Sequence, residues 1–300
     1  MSIRNEVVNF VQSDSPISWG FSVIFRVGEV VLRVGVRWDD PVQNERIQNA
    51  HQQHLIDYIE VNYPIPFGSN PHGLGIPVLA HTSSNPTCSA EGVNLNIARR
   101  IKEAADETNS PWIGEHLSWL GIAPTGSLGY QINPLFTDEI AAVTAMNVAR
   151  LRDYYNRPIA LELGPIYIQS TGYESEMHFL GSVANDADTK VILDVTHWQI
   201  GNRNLGRSTD YGLNAIDPSR IIELHIAGMR LGSDQRFWHD AHDLLPDAEV
   251  IAITSQLIQD LPALEAVTFE HSPMASEEDF YRCLADINNA VRDHRAPIAA

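Results

Sequence analysis

The chain has 300 residues, of which 44% are hydrophobic and 19% charged, so it is long enough to bury a large core within one α/β domain. Its 38 acidic residues against 20 lysines and arginines give a formal charge of −18, which argues against nucleic acid or an anionic membrane as a partner. The two cysteines, Cys88 and Cys283, cannot form a disulfide framework or a paired-cysteine metal motif, which fits a reducing cytoplasm. The first residues lack a signal-peptide pattern, and no apolar run is long enough for a membrane span.

Eight short apolar runs rich in β-branched residues predict strands. They cover residues 20–25, 58–61, 77–80, 112–115, 158–163, 191–195, 221–226 and 266–269. Several lack polar alternation, as expected for parallel strands that are covered on both faces. Near the start of the chain, residues 19–26 and 30–37 both resemble strands, so the first strand can shift by about one element.

Helical patterns alternate with these runs. They cover residues 43–56, 95–108, 138–155, 174–184, 253–261 and 277–291, and Thr137 and Ser276 are candidate N-caps. Residues 200–214 are predicted to form a loop after the sixth strand. Eight strands with intervening helices in a chain of this length favour a single (β/α)8 TIM barrel that spans residues 1–300. An open nucleotide-binding sheet is disfavoured because no glycine-rich phosphate loop is present.

Nearly every predicted strand ends in a side chain that can bind a metal. These residues are Glu60, His81, Glu115, His116, Glu162, Asp194, His225, Glu270 and His271. One such residue alone is usually a cap or a hydrogen-bonded buried group. In a barrel, however, all of them converge on the C-terminal mouth, where clustered acids need compensating positive charge. No lysine or arginine ends any predicted strand after the first, so metal ions are the natural compensation.

Imidazole and carboxylate ligands without thiolates suit iron, manganese or zinc, and there are more of them than one ion can use. A second cluster, His239-Asp240-Ala241-His242, lies between the seventh and eighth predicted strands, in a loop expected over the same mouth. Three aromatic residues near the mouth, Trp119, Trp198 and Trp238, are candidates to line a peptide groove, although large aromatics more often pack in a core.

Eight segments in this order resemble the multinuclear non-haem iron-dependent oxidative enzymes, a bacterial family that includes the iron oxidase of methanobactin biosynthesis. They are DYIEVNYP at 57–64, VLAHTSS at 78–84, WIGEHLSW at 112–119, ALELGP at 160–165, ILDVTHW at 192–198, IELHIAGM at 222–229, HDAHD at 239–243 and TFEHS at 268–272. The resemblance runs from about residue 58 to residue 279, and residues 1–57 match poorly.

The resemblance implies a TIM barrel that holds two or three irons in mixed ferrous and ferric states. Such enzymes use dioxygen to modify a ribosomally made precursor peptide at cysteine or at its C-terminal residues, often with a small partner protein that binds the leader. The implied metal ligands are His81, His116, Glu162, Asp194, His225, Asp240, His242 and Glu270. Among these, we expect Glu162 or Glu270 to bridge ions and Asp240 to lie near the substrate.

Two positions depart from the family pattern. Leu163 stands where the family has asparagine after its glutamate, and His197 replaces a second asparagine. Histidine is the better metal ligand, so His197 joins the expected ligand set, whereas loss of the amide at Leu163 weakens one site or changes its role.

Two other function classes fit part of the pattern. A redox-inert barrel of the xylose-isomerase or metal-endonuclease type also collects histidines and acids at its strand ends. A barrel that has lost catalysis and serves as a peptide-binding subunit would explain Leu163, but its buried unpaired acids would be costly.

Overall fold

A computed structural model describes residues 32–122, 126–169 and 172–295 of the chain. The strands are β1 (Arg33–Trp38), β2 (Tyr58–Tyr63), β3 (Val78–Thr82), β4 (Ile113–His116), β5 (Trp119–Ile122), β6 (Gly126–Ile132), β7 (Ile159–Glu162), β8 (Lys190–Asp194), β9 (Ile221–Ile226), β10 (Met229–Leu231), β11 (Trp238–Asp240) and β12 (Ala266–Phe269). The helices are α1 (Asn44–Gln52), α2 (Leu95–Thr108), α3 (Asp138–Tyr155), α4 (Glu176–Asp186), α5 (Val195–Leu205), α6 (Ala248–Asp260) and α7 (Glu277–Arg295).

Eight parallel strands close into a barrel in the order β1, β2, β3, β4, β7, β8, β9 and β12, and β12 pairs with β1. This confirms the predicted TIM-barrel class. The first barrel strand is Arg33–Trp38, which corresponds to the second of the two candidates at the start of the chain. The other candidate, residues 20–25, lies outside the described residues.

The prediction of a loop over residues 200–214 was wrong for its first part, because α5 extends from Val195 to Leu205. The polar side chains of α5 are not those of a surface loop, since Gln199 and Asn202 are buried. Gln199 Nε2 donates a hydrogen bond to the carbonyl of Thr209 at 2.8 Å. The helix ends at Gly206, whose φ of 66° is the left-handed conformation that favours glycine at a helix C-terminus.

Two antiparallel hairpins, which the sequence analysis did not predict, extend from the mouth. One pairs β5 with β6 and follows β4, and the other pairs β10 with β11 and follows β9. In the second hairpin Met229 lies opposite Asp240, which holds the HDAH segment against the barrel rather than in a free loop. Within the described residues, no helix is both long and apolar enough to cross a membrane.

Candidate metal centre

The barrel interior has an apolar floor beneath a polar layer. Because side chains alternate along a strand, the residues two positions before Glu60, His81, Glu162 and Asp194 face the same interior. These residues belong to a small buried apolar cluster, separate from the main core, whose members are Tyr58, Leu79, Trp112, Ala160, Ile192, Ile222 and Ala266. One buried carboxylate, Glu223, lies among them and accepts hydrogen bonds from Trp112 Nε1 at 2.9 Å and from Thr268 Oγ1 at 2.6 Å.

Glu162, at the end of β7, lies at the centre of the polar layer. Its Oε2 atom is 2.9 Å from His81 Nε2 and 3.0 Å from His116 Nε2. Its Oε1 atom is 3.4 Å from His197 Nδ1, and His225 Nδ1 lies 3.7 Å from Oε2. One buried carboxylate therefore faces four imidazoles from four segments of the chain, an arrangement suited to a carboxylate shared by more than one cation.

His225 and Glu270 connect this centre to the opposite side of the mouth. His225 Nδ1 lies 3.1 Å from Glu270 Oε1, and His225 Nε2 lies 3.0 Å from Glu60 Oε2. The other Glu270 oxygen is 3.1 Å from His242 Nε2, which in turn is 2.7 Å from Asp240 Oδ2. Asp240 and His242 therefore point to the same side of their segment.

The junction of β8 with α5 brings Asp194 and His197 together. The Asp194 side chain is the N-cap of α5, and its Oδ1 accepts a hydrogen bond of 2.7 Å from the backbone N–H of His197. This cap turns the chain sharply at the barrel mouth. It leaves Asp194 Oδ2 3.3 Å from His197 Nδ1, and His197 Nε2 is 3.6 Å from Asp240 Oδ2.

Four overlapping groups of these side chains place their ligand atoms within 4.8 Å of one another. The groups are Glu60 with His81 and His225, His81 with His116 and Glu162, Glu162 with His225 and Glu270, and Glu162 with Asp194 and His197. All of these residues are buried. Since Glu162 belongs to three of the four groups, the arrangement can hold more than one ion.

Several of the same atoms lack a hydrogen-bond partner although they are buried, among them both Glu60 carboxylate oxygens, both His225 ring nitrogens, Glu162 Oε1 and Asp194 Oδ2. His225 Nε2 and Glu60 Oε2 are 3.0 Å apart, yet they do not meet hydrogen-bond geometry. Burying unpaired polar atoms is costly, and metal coordination is one way to satisfy them. The donor set of imidazoles and carboxylates therefore fits divalent or trivalent metal ions.

In the polar layer, burial opposes the charging of His197 and His225, but the surrounding carboxylates outweigh burial and raise the pKa of both imidazoles. Burial raises the pKa of Asp194 to about 7, His197 opposes this rise, and the carboxylates of Glu162 and Glu270 add to it. Burial opposes the charging of Glu162, but the imidazoles of His225 and His197 hold the pKa of this carboxyl well below its ordinary value. Burial lowers the pKa of His116 to about 3, so this imidazole is neutral near pH 7 and available as a ligand.

Arg37, on β1, also enters this layer, and the sequence analysis missed it. Its Nη1 forms a short ion pair with Glu270 and lies 3.6 Å from Glu60 Oε1. Burial disfavours its charge, but Glu270 and Glu60 outweigh burial and raise the pKa of Arg37 above its ordinary value. The sequence does indicate this position, because the segment VGVRW reads as a strand that has Arg37 near its end. Two candidate segments, 19–26 and 30–37, competed for the first barrel strand, so Arg37 was not assigned to the mouth.

Two predicted strand-end residues point away from the mouth. Glu115 packs between the barrel and the helices, where Tyr155 Oη and Asn85 Nδ2 each donate to its Oε1 at 2.7 Å. His271 Nδ1 lies 3.0 Å from Gln43 Nε2 and 2.9 Å from Arg46 Nη2, and its ring packs edge-on against Phe280. Each neighbours an inward-facing residue, so the alternation of a strand turns it outward.

The three tryptophans do not line the central cavity within the described residues. Trp198 is buried and donates to the carbonyl of Tyr211 at 2.9 Å, so its role is packing. Trp238 packs beneath the guanidinium of Arg203, 4.9 Å from it, and Trp119 is partly exposed on β5. The candidate peptide-groove role is therefore not supported by their positions.

The two departures from the family pattern occupy neighbouring positions. The Leu163 side chain is part of the main hydrophobic core, whereas its backbone carbonyl lies 3.1 Å from His197 Nδ1. His197 itself is buried between Asp194, Glu162 and Asp240. The structure therefore brings a histidine to this side of the cluster and turns the leucine side chain away from it.

Gly114, on β4, makes room for the imidazole of His81. A methyl group at this position would overlap that ring, lie 3.0 Å from His81 Nε2 and lie 2.9 Å from Ile192 Cδ1. We expect Gly114→Ala to displace His81 and to lower metal content per chain, measured by plasma mass spectrometry. Thermal unfolding of the metal-free variant separates this from general destabilisation. Unchanged metal content in a folded variant would contradict a ligand role for His81.

A cavity of about 710 Å3 opens directly above the polar layer. Arg37, His116, Glu162, His197, Asp240, His242 and Glu270 form its charged side. The opposite wall consists of residues 131–136 and 164–169. This volume lies within the range of roughly 300–1,000 Å3 typical of small-ligand sites, so the cavity can hold a short peptide segment but not a folded domain.

Comparison with known proteins gives a family match over most of the chain. A family model described as "RiPP precursor modification enzyme MbnB/TglH/ChrH" matches residues 34–288, a longer interval than the resemblance from residue 58 to residue 279. A UPF0276 protein of Caulobacter vibrioides is 29% identical over 205 residues, which are 65% of this chain and 72% of that protein. A UPF0276 protein of Vibrio vulnificus is 28% identical over 194 residues, or 62% of each chain.

Solved structures share the barrel at low identity. An L-ribulose 3-epimerase superposes with a TM-score of 0.59 at 13% identity and covers 90% of this chain and 100% of its own. The IOLI protein with a bound zinc atom gives 0.58 at 14% identity, covering 88% and 99%. Endonuclease IV from Thermus thermophilus gives 0.54 at 16% identity, covering 86% and 99%. These similarities establish the fold alone.

Proposed function

Since this chain belongs to the MbnB/TglH/ChrH family of enzymes that modify the precursors of ribosomally synthesised peptide products (RiPPs), we propose that it oxidises such a precursor with dioxygen at a cluster of iron ions. The observation that carries the proposal is the position of Glu162 among four imidazoles in a buried layer at the barrel mouth. The proposed substrate position is a cysteine or the C-terminal residues of the peptide.

The proposed ligands are nine side chains that converge on the mouth: His81, His116, Glu162, Asp194, His197, His225, Asp240, His242 and Glu270. Glu162 and Glu270 each contact nitrogen atoms of more than one histidine, so they are the proposed bridging carboxylates. Two or three irons, of mixed ferrous and ferric state, would supply redox chemistry and bind the substrate sulfur. Glu60 lies against His225 and forms, with His225 and His81, a further group that could hold an ion.

The residues of the chain would perform the remaining tasks. The apolar floor excludes water from below, and the Asp194 cap and Arg37 fix the directions of the carboxylates around them. Asp240, with a side chain 24% exposed, lies closer to solvent than Glu162 and is the proposed group beside the substrate. Its pKa is lowered, because His197 and His242 outweigh the effect of burial, so it is ionised and can accept a proton or a hydrogen bond from the peptide.

The redox-inert isomerase or hydrolase alternative is not favoured. The support for this alternative comes from solved structures that share the barrel fold at 13–16% sequence identity. The family model of peptide-modifying enzymes, in contrast, matches residues 34–288 of this chain. A peptide-modifying role also agrees with the net charge of −18, which disfavours DNA as a substrate. We propose one catalytic barrel domain that acts with a small leader-binding partner protein.

The test of this function compares peptide modification with and without dioxygen. Anaerobically purified, iron-loaded protein is incubated with short peptides encoded beside its gene, with and without any small protein encoded there, and the products are analysed by mass spectrometry. We expect a change in peptide mass that requires both iron and dioxygen. Conversion by the zinc-loaded protein without dioxygen would instead support the redox-inert class.

A further inference from the structure

The wall of the cavity opposite the charged side has an unusual composition for so acidic a protein. Its two segments, QINPLF at 131–136 and GPIYIQ at 164–169, contain no aspartate, glutamate, lysine, arginine or histidine. Their polar side chains are amides and one tyrosine. The cavity is therefore asymmetric, with ionisable groups on one side and an uncharged, mostly apolar surface on the other.

The two segments form one continuous surface. Asn133 Nδ2 of the first segment donates to the carbonyl of Pro165 in the second at 2.8 Å. Phe136 and Ile166 anchor the wall in the main hydrophobic core. On the far side, the Tyr167 ring lies 5.3 Å from the His239 ring of the β10–β11 hairpin. These contacts join the wall to the core and to the hairpin that carries Asp240.

Two large aliphatic side chains of this wall are left in solvent. Leu135 is 67% exposed and Ile168 is 80% exposed, although both border the cavity. Isolated exposed aliphatic residues are common, but two from separate loops on one cavity wall form an apolar surface that a ligand can cover. The cavity continues into the proposed metal centre, so whatever binds at the centre must also pass this wall.

We propose that the wall formed by residues 131–136 and 164–169 binds an apolar side chain of the precursor peptide beside the residue that reacts. This inference rests on the proposed function and specifies its substrate class. Covering Leu135 and Ile168 removes apolar surface from water, whereas an acidic or basic peptide residue there would lose hydration without gaining a charged partner on the wall. Gln131 and Gln169 also line the cavity, and their amides are the proposed hydrogen-bonding partners of the peptide backbone.

Competitive binding under anaerobic conditions tests this inference apart from turnover. The probes are pooled peptides Gly-Ser-Cys-Xaa-Ser-Gly, and a second pool has Xaa before the cysteine, where Xaa is Leu, Ile, Phe, Asn, Asp or Lys. The iron-loaded protein is dialysed against each pool, and the retained peptides are quantified by mass spectrometry. We expect the apolar peptides of at least one pool to be enriched about tenfold over the aspartate peptide, the effect of burying part of one aliphatic side chain.

Matched variants locate the preference on the wall. The double variant Leu135→Gln with Ile168→Gln is expected to reduce the enrichment below about twofold. Met146→Gln serves as the control, because Met146 is 68% exposed on α3 and does not border the cavity, and it is expected to keep the preference. Each of three results would overturn the inference. These are retention that does not depend on Xaa, an unchanged preference in the double variant, and no retained peptide at all.

The two proposals can fail separately. Apolar enrichment without dioxygen-dependent modification of any peptide would leave the binding wall standing and contradict the proposed reaction. Dioxygen-dependent modification with equal retention of apolar and charged peptides would support the reaction and contradict the role of the wall. If the wall instead contacts a second protein, short peptides would show no preference for an apolar residue. This result would also contradict the proposed role of the wall.

Discussion

Replacing Glu162 by glutamine is expected to abolish iron binding at the shared position and to reduce turnover by about 10^3-fold, because several kcal/mol of metal-supplied stabilisation would be lost. Glutamine keeps the shape of the side chain but removes the negative charge that faces four imidazoles. The measurements are iron content per chain by plasma mass spectrometry and the initial rate of peptide modification.

Glu115→Gln is the matched control for this variant. Glu115 is also a fully buried glutamate, on the neighbouring strand β4, but it faces Tyr155 and Asn85 on the outer side of the barrel. We expect this variant to keep the iron content of the parent protein. If Glu162→Gln retained full iron and full activity, or if both variants lost iron equally, Glu162 would not be the shared ligand.

Replacing Arg37 by methionine is expected to lower the free energy of unfolding of the metal-free protein by about 3–5 kcal/mol, the cost of breaking a buried ion pair from one side. Without the guanidinium, the carboxylates of Glu270 and Glu60 lose their nearest fixed positive charge. In the metal-loaded protein the loss should be smaller, since bound cations neutralise the same carboxylates. Urea denaturation of both forms measures the difference.

The control for Arg37 is Arg99→Met on α2. Arg99 pairs with Glu103 one helical turn away, and both side chains are more than half exposed. Such surface pairs contribute about 0–1 kcal/mol, so this variant should unfold almost like the parent. An Arg37→Met variant as stable as the Arg99→Met variant without metal would show that the carboxylates around Arg37 do not depend on its charge.

The barrel was predictable because its signals are local and repeated. Apolar runs such as 191–195 and 221–226 alternate with helical patterns, and parallel strands bring their C-terminal ends to one mouth. Convergence at the mouth follows from that topology alone, so the structure brings His81, Glu162, His225 and Glu270 together as expected.

Other parts of the site were not predictable from strand ends alone. Glu115 and His271 look like ligands in the sequence, but each is adjacent to an inward-facing residue, and alternation along the strand would have excluded it. Helix α5 was partly mistaken for a loop because its glycine, asparagines and arginine resemble surface residues, although Asn202 is buried and Asn204 Nδ2 donates to the carbonyl of Ile166 at 3.2 Å. Arg37 was missed because two adjacent segments competed for the first strand.

The hairpin that holds Asp240 was not predictable from the sequence pattern, for a different reason. Each of its strands has three residues, which is too short for an alternating pattern to stand out. The position of Asp240 therefore depends on tertiary pairing with Met229 and on the packing of Trp238 against Arg203.

The buried cluster around Glu162 is proposed to hold iron. The most direct test is metal analysis of the anaerobically purified protein by plasma mass spectrometry, paired with Mössbauer spectroscopy of a sample enriched in iron-57. We expect at least two irons per chain with magnetically coupled signals. Stoichiometric zinc or manganese without iron, even after reconstitution with ferrous iron, would contradict the claim and move the protein to a redox-inert class.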